Sequence, residues 1–244
     1  MLALLRYFWS ECLILFHSRL FVAVLGLKLM LGTMAGSQLL THGFVPFVNY
    51  FVSSGFANPY QYFQSIESFK AFPYSALMLW ILALPRVLAA PFLSSGYFDV
   101  TQLHLLMMRL PLLAADIGIL VLMRHWLRAQ QDDVLRLYWC SPVLIYITYI
   151  HGQLDVLPIA IFILAVGLLF RRSYWLSYVA FGAALACKMN ILAVFPFVWV
   201  YLWRRHRGPA QSLRFIATAG ITFVLINLPY LFSSGFQRLV LQAE

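Results

Sequence analysis

The chain has 244 residues, of which 63% are hydrophobic and only 10% are charged, and its mean hydropathy is +0.83. Soluble domains carry about 25% charged residues, so this composition leaves too few charged groups to cover a water-soluble fold. The net charge of +9 comes from basic residues at the ends of apolar runs, as in membrane proteins that obey the positive-inside rule. The composition therefore excludes a soluble domain, indicates membrane lipids rather than nucleic acid as partners, and suits an anionic leaflet.

The N-terminal residues 1–19 predict an interfacial helix, with Phe8 and Trp9 as aromatic anchors and Arg6 and Arg19 on the cytoplasmic side. The apolar runs that follow predict helices, because a helix satisfies its backbone hydrogen bonds within its own segment. These runs are 20–40, 74–94, 101–123, 138–151, 153–170, 174–187, 190–203 and 213–232. We predict an all-α, polytopic membrane protein with about seven or eight transmembrane or half-membrane helices. Residues 1–244 then form one membrane domain, in which 75–235 is the helical bundle.

The longest stretch without a helical pattern is 41–74, which is rich in aromatic residues, Gly, Pro, Asn and Ser. Loops of this length inside a compact domain are commonly functional. We predict a long external aromatic loop, with Phe and Tyr at headgroup level and short amphipathic helices parallel to the membrane surface.

Four of the apolar runs are too short to cross a bilayer comfortably, and they come in two pairs. The pair 138–170 turns at His151–Asp155, and the pair 174–203 turns at Lys188–Asn190. Basic residues flank the outer ends of both pairs, which predicts two hairpins with polar tips near the non-cytoplasmic face. Short helices at membrane depth are tolerated where they line a cavity.

The orientation of the middle of the chain has two solutions. With the N-terminus inside, spans 20–40, 74–94 and 101–123 would place Arg124–Arg136 outside, whereas its basic residues indicate the cytoplasm. Either 74–94, which Pro85-Arg86 and Pro91 interrupt, does not fully cross, or the positive-inside rule fails locally.

Charged residues inside apolar runs are costly and commonly face a protein interior or a functional cavity. Arg109 and Asp116 are seven residues apart and therefore lie on one helical face, where they could act together or settle contacts between helices. Lys28 is expected to snorkel or to contact another helix rather than to belong to a site.

The first tip carries a compact polar group, in which His151 and Asp155 are separated by four residues and Gly152 permits a bend. A His–Asp pair could exchange protons or hold a divalent cation, Mn²⁺ or Mg²⁺. Alternatively, Asp155 caps the following helix at its N-terminus. Lys188 at the second tip is a compact charge suited to a phosphate, with Arg86 as a second cation.

The order of several loose motifs resembles the amino-terminal part of GT-C superfamily glycosyltransferases, in particular the mannosyltransferase-like members. These motifs cover about residues 20–240 and are "SGFANPYQYF", "FPYSALMLWILALPR", "RLPLLAAD", "SPVLIYITYIHGQLDVLPIA", "LACKMNILAVFPF" and "NLPYLFSSGF". The resemblance implies transfer of a hexose, with inversion, from a polyprenyl-phosphate donor to an acceptor on the non-cytoplasmic face.

The resemblance also implies roles for individual residues. The substrate-binding candidates that the motifs contain are Asn58, Tyr60, Tyr74, Arg86, His151, Gln153, Lys188 and Asn190. In the family an acidic residue at the exit of the first span is the catalytic base, but "GSQLLTHGFVPF" contains none. Asp155 and Glu67 remain as candidate bases.

Two alternatives stay open at the level of the sequence. Paired half-helices with polar tips are also typical of transporters and lipid flippases, and the missing acid is compatible with a non-catalytic partner subunit. Relatives continue with further spans, so we expect a fragment, a split subunit that lacks a C-terminal module, or a degenerate paralogue. A bacterial inner membrane is favoured over the endoplasmic reticulum.

Overall fold

The computed structural model describes residues 2–68, 72–93 and 100–242, and these residues form helices and helical turns without a strand among them. The α-helices are α1 (Leu2–His17), α2 (Arg19–Met34), α3 (Val45–Ser53), α4 (Pro59–Ser65), α5 (Ala76–Leu93), α6 (Val100–Trp126), α7 (Gln131–Val134), α8 (Pro142–Ile145), α9 (Val156–Phe170), α10 (Tyr174–Leu185), α11 (Phe195–His206), α12 (Ala210–Leu231) and α13 (Ser234–Phe236). Wider π-helical turns lie at Leu39–Phe44, Leu135–Trp139, Tyr146–His151 and Gln237–Leu241, and tighter 3₁₀ turns at Arg128–Gln130 and Met189–Val194.

Few of these helices are long enough to cross a bilayer. In the described part of the chain, Thr101–Trp126 and Ala210–Leu231 have the required length and hydropathy. The pair Tyr7–His17 and Arg19–Met34, bent by 90°, adds a third span if it is counted as one. Shorter apolar helices occupy the remaining runs, so the all-α membrane fold is found but the count of seven or eight spans is not confirmed.

The helices α2 and α6 run antiparallel, with close contacts along their length. A Cβ on Gly32 would lie 3.2 Å from Arg109 Cγ, and one on Gly36 would lie 3.1 Å from Leu105. Further along, the Lys28 ammonium bonds Asp116 at 2.8 Å. The N-terminal end of α6 therefore lies beside the C-terminal end of α2.

The basic ends of the helices lie on one side of the molecule. Arg124 near the end of α6 pairs with Glu11 of α1 at 3.2 Å, and Arg171 after α9 contacts His125. His206 of α11 packs on Tyr174 at the start of α10. By the positive-inside rule this side is cytoplasmic.

The helix α5 begins on the same side of the molecule as α6, opposite to the basic helix ends. It starts at the hairpin tips, because the N–H groups of Ser75 and Leu77 bond the carbonyls of Cys187 and Ala186. It ends six residues before α6, whose N-terminal end is on the non-cytoplasmic side. We therefore expect α5 not to complete a crossing, which agrees with the cytoplasmic position that the charge of 124–136 favours.

The two hairpins reach only part of the way through a bilayer. The helices α9 and α10, of 15 and 12 residues, are about 22 and 18 Å long, against a hydrocarbon core of about 30 Å. They pack on each other and α10 packs on α12. Their tips consequently lie within membrane depth, below the loop that connects α2 to α5.

That loop is a packed cap rather than a surface layer. The side chains of Phe47, Tyr60 and Phe72 are fully buried, and Phe47 stacks on Phe72 with ring centroids 4.7 Å apart. A Cβ on Gly235 would lie 2.2 Å from the Tyr60 carbonyl oxygen, so the backbones of α13 and α4 touch. These aromatic side chains therefore pack against one another, and their position at headgroup level stays a prediction.

Candidate functional site

The first tip is formed by α8 and the π-helical turn that follows it, which ends at His151. Ser141 caps α8 by accepting from the Leu144 N–H, and the chain continues through the π-helical turn to His151. Gly152 then adopts a left-handed conformation with φ +90°, which only glycine adopts without strain. The N–H groups of Gly152 and Gln153 both bond the Ile147 carbonyl at 3.0 Å, which closes the turn.

Arg109 of α6 holds this tip from inside the bundle. Its side chain is 2% exposed, and its guanidinium donates to the carbonyls of Thr148 at 2.6 Å and Tyr149 at 3.2 Å. These carbonyls belong to the last turn before Gly152, where they have no intrahelical partner. Arg109 therefore fixes the tip at a depth about 25 Å from the cytoplasmic end of α6.

The substitution Gly152→Ala is expected to destabilise the protein by about 1–2 kcal/mol, because an alanine in the left-handed region clashes with its own backbone. The added Cβ would also lie 3.2 Å from Leu40 Cβ and 3.3 Å from the Arg109 guanidinium. Thermal unfolding of the purified protein in detergent measures the loss. Gly208→Ala is the control, since no atom lies within 4 Å of its added Cβ and its φ is not positive; equal stability of both variants would contradict the tight tip.

The two tips meet in an ion pair between α9 and α10. Asp155 is the residue before α9, and Lys188 is in extended conformation between α10 and the following 3₁₀ turn. Lys188 Nζ lies 2.6 Å from Asp155 Oδ1, and the two side chains are 25% and 32% exposed. The pair is therefore partly open and accessible to a ligand.

Tyr74, which belongs to the loop before α5, packs against this pair. Lys188 Nζ lies 5.5 Å from the centre of its ring, within the range of a cation–π contact. Burial and the neighbouring Asp155 carboxylate raise the pKa of Tyr74 well above its usual range, so it remains neutral. The Tyr60 hydroxyl donates to the Tyr74 carbonyl at 2.9 Å, and Asn227 of α12 accepts from the Ala76 N–H at 2.9 Å.

The other residues predicted at the tips lie close in sequence to the two members of the ion pair. His151 and Gln153 are half-buried and Asn190 is exposed. Because the chain turns at Gly152, His151 and Asp155 do not share a helical face. The His151 ring lies parallel to Tyr146, with centroids 6.3 Å apart.

Three residues named from the sequence lie elsewhere. Asn58 caps α4 by accepting from the Gln61 N–H at 3.3 Å, and Glu67 is exposed on the turn after α4. Arg86 donates to Asn49 at 2.9 Å. Arg86 lies ten residues after Ala76 in α5, which is about 15 Å along the helix. Arg86 therefore does not share a phosphate with Lys188, because α5 carries it away from the tips.

The donor set at the tips does not fit the divalent cation that the sequence suggested. Asp155 already has the Lys188 ammonium at 2.6 Å, which repels a metal ion. No group of three His, Cys, Asp or Glu side chains with ligand geometry occurs in the described residues.

A buried polar network lies deeper between α2, α6 and the wide turns, and it makes contacts between helices, which is one of the interpretations that the sequence left open for Asp116 and Lys28. Asp116 bonds Lys28 at 2.8 Å and not Arg109. It also accepts from the hydroxyls of Tyr138 at 2.7 Å and Tyr149 at 2.8 Å. The helical spacing of Arg109 and Asp116 could not reveal these partners, which are 22–88 residues away in sequence.

An apolar groove of about 760 Å³ runs along α6, and the sequence analysis did not identify it. It extends from Leu110 to His125, about 22 Å, between α5 and α9. Leu157, two residues after Asp155, lies at its wall. The signal in the sequence was the run of small residues on this face of α6, Ala114, Ala115 and Gly118.

Comparisons with known proteins give one match. No curated protein matches the chain, and no solved structure does. The family described as ALG3 protein matches residues 118–240, which is half of the chain and includes both tips but not the loop with Tyr74. This family consists of enzymes of the endoplasmic reticulum membrane, so the match gives no support to a bacterial membrane. The chain belongs to the ALG3 protein family, the membrane mannosyltransferases of GT-C type that use dolichyl-phosphate mannose.

Proposed function

We propose that the chain transfers a mannosyl residue from a polyprenyl-phosphate donor to a hydroxyl of an acceptor on the non-cytoplasmic face, at the Lys188–Asp155 pair. The observation that carries the proposal is the partly exposed 2.6 Å contact between the tips of two half-length hairpins. Every basic helix end described above lies on the opposite side of the bundle. A donor whose tail lies in the bilayer would therefore present its phosphate at the depth of this pair.

The groove along α6 supports the assignment of the donor tail. Its wall includes Leu157 and Ile161 of α9 and Leu110 of α6, close to Asp155. An isoprenoid chain has the apolar surface that such a wall binds. With the tail in the upper part of the groove, the phosphate reaches Lys188.

The proposed reaction is a single displacement. The acceptor hydroxyl oxygen forms a bond to the anomeric carbon while the bond from that carbon to the phosphate oxygen breaks. The polyprenyl phosphate leaves with the bonding electron pair, and Lys188 stabilises its charge. The same contact draws Lys188 away from Asp155, whose freed carboxylate accepts the hydroxyl proton, and the configuration at the anomeric carbon inverts.

Glu67 is not the base in this proposal. Its side chain is exposed on the turn after α4, and in the described part of the chain its carboxylate forms no ion pair. Tyr74 keeps its proton and serves to hold Lys188. His151, Gln153 and Asn190 are proposed contacts to the sugar or the acceptor, since they belong to the same two tips and are at least partly exposed.

The direct test of the proposed function is mannosyl transfer by the purified protein from polyprenyl-phosphate mannose to a lipid-linked glycan. The proposal predicts a mannosylated acceptor that mass spectrometry detects, with polyprenyl phosphate released in equal amount. Donor binding without transfer would favour a non-catalytic partner subunit, and transport of radiolabelled donor across a vesicle without transfer would favour a flippase.

Filling the groove with Gly118→Leu is expected to raise the KM for a long-chain donor by about tenfold, a loss of about 1.4 kcal/mol of binding. No atom lies within 4 Å of a Cβ added there, so the new side chain enters the open groove. A donor with a short tail should keep its KM. Gly220→Leu on α12, which also has open space at its Cβ, is the control; equal effects of both substitutions on KM would contradict the groove.

A further inference from the structure

The cytoplasmic end of the groove carries a cluster of cations around one imidazole. Arg171 Nη2 contacts His125 Nε2, and Arg128 Nη2 lies 3.5 Å from His125 Nδ1. A neutral imidazole has one acceptor nitrogen, and a protonated one has none, so His125 cannot accept from both guanidinium groups. The cluster therefore contains more donors than acceptors.

The described residues supply no carboxylate to complete this cluster. The three ion pairs among them involve neither Arg128 nor Arg171, and the nearby Glu11 carboxylate is bonded to Arg124 at 3.2 Å. Arg128 also lies 5.9 Å from the centre of the Tyr7 ring. An anion between Arg128 and Arg171 would satisfy both guanidinium groups, which favour bidentate contacts with phosphate.

The same place is the lower end of the apolar groove. Tyr7 and His125 line the groove. Leu122 of α6, one turn before His125, and Leu164 of α9 form its wall here. A smaller depression bounded by Arg171 and Gly167 continues from His125. The structure thus joins a cationic mouth to an apolar channel that starts at the cytoplasmic boundary of the membrane.

We propose that this mouth binds an anionic phospholipid of the cytoplasmic leaflet. Its headgroup phosphate lies between Arg128 and Arg171, and one acyl chain follows the lower groove past Leu122 and Leu164. The donor tail of the proposed reaction enters the same groove from the other leaflet, at the Leu110 end. The lipid site does not depend on mannosyl transfer, and its test measures lipid retention alone.

The test uses the purified, delipidated full chain and native mass spectrometry. The protein is mixed with phosphatidylinositol or with phosphatidylcholine of the same chain length, and the fraction carrying one lipid is measured. We expect phosphatidylinositol to be retained about tenfold more strongly, and R128Q/R171Q to lose this preference, because each basic residue near a membrane surface contributes modestly to anionic lipid binding. Both substitutions are at exposed positions, so the fold is maintained.

R204Q/R205Q is the matched control, since it removes two exposed arginines from the same side at the end of α11. The control should retain the wild-type preference. Equal preference in both double variants, or equal loss in both, would overturn the proposal. A dihexanoyl phosphatidylinositol should bind at least about tenfold more weakly than the long-chain lipid, because it leaves much of the groove unfilled. Equal binding of the short-chain and long-chain lipids would show that the site binds only the headgroup phosphate, and would overturn the assignment of the acyl chain.

Discussion

Lys188→Met is expected to lower kcat for mannosyl transfer by about 10²–10³-fold, the effect of removing one group that stabilises charge in a transition state. The lost ammonium is the one that lies 2.6 Å from Asp155 and over the Tyr74 ring. Lys188→Arg keeps the charge but changes its shape, so it should retain part of the activity. Initial rates with saturating donor and acceptor measure the effect.

Asp155→Asn is expected to lower kcat by a similar factor of about 10²–10⁴, the usual contribution of a general base. Because the two residues act in one step, the double variant should lose much less than the product of the single losses. The pair is partly exposed, so its removal should change the unfolding free energy by only about 1 kcal/mol or less. Unchanged rates in both single variants would refute the site, whatever the family.

Asp116→Leu is expected to cause the largest loss of stability of any single change considered for this protein. It leaves the Lys28 ammonium, with a side chain 0% exposed, without a counter-charge, and it removes the acceptor of Tyr138 and Tyr149. Breaking a buried pair by removing one partner costs about 3–5 kcal/mol. For a chain of this size, this corresponds to a fall in Tm of about 6–20 °C.

The double substitution Lys28→Met with Asp116→Leu separates charge from packing. Apolar residues of similar volume commonly replace a buried ion pair at little cost, so the double variant should recover most of the Tm that the single variant loses. Asp132→Leu, at an exposed carboxylate, is the control and should leave the Tm within about 1–2 °C. A double variant as unstable as Asp116→Leu would show that the network does not act through its charges.

The sequence indicated the membrane fold and the tips because the relevant signals are local. The apolar runs, the short length of 138–151 and 174–187, and the polar groups at 151–155 and 188–190 are all visible in linear order. The resemblance to GT-C enzymes agrees with the family match over 118–240. The sequence lacks the acidic residue that the family has at the exit of the first span. Asp155 is proposed as the base in place of that residue.

The contacts that depend on tertiary packing could not be obtained from the sequence. Helical spacing placed Arg109 and Asp116 on one face but did not name their partners, which are the carbonyls of the first tip for Arg109 and Lys28 for Asp116. Arg86 follows Pro85 in an apolar helix, and its distance from Lys188 depends on where α5 begins relative to the hairpins. The ion pair between Asp155 and Lys188 spans 33 residues, which no local pattern predicts.

The aromatic loop illustrates the same limit in another way. Its composition predicted a membrane-surface segment, because Phe and Tyr are frequent at interfaces. The structure buries Phe47, Tyr60 and Phe72 within this loop, and α13 provides a backbone surface against α4. That partner lies about 170 residues further along the chain, so the burial could not be foreseen.

The accessibility of the tips from the two sides of the membrane tests the central claim most directly. In a background without Cys12, Cys140 and Cys187, Asn190→Cys and Arg204→Cys each carry one thiol at an exposed position. A membrane-impermeant thiol reagent is added to sealed vesicles whose cytoplasmic face is outward. The structure predicts rapid labelling of Arg204→Cys and labelling of Asn190→Cys only after the vesicles are opened; labelling of Asn190→Cys in intact vesicles would contradict a transfer site on the non-cytoplasmic side.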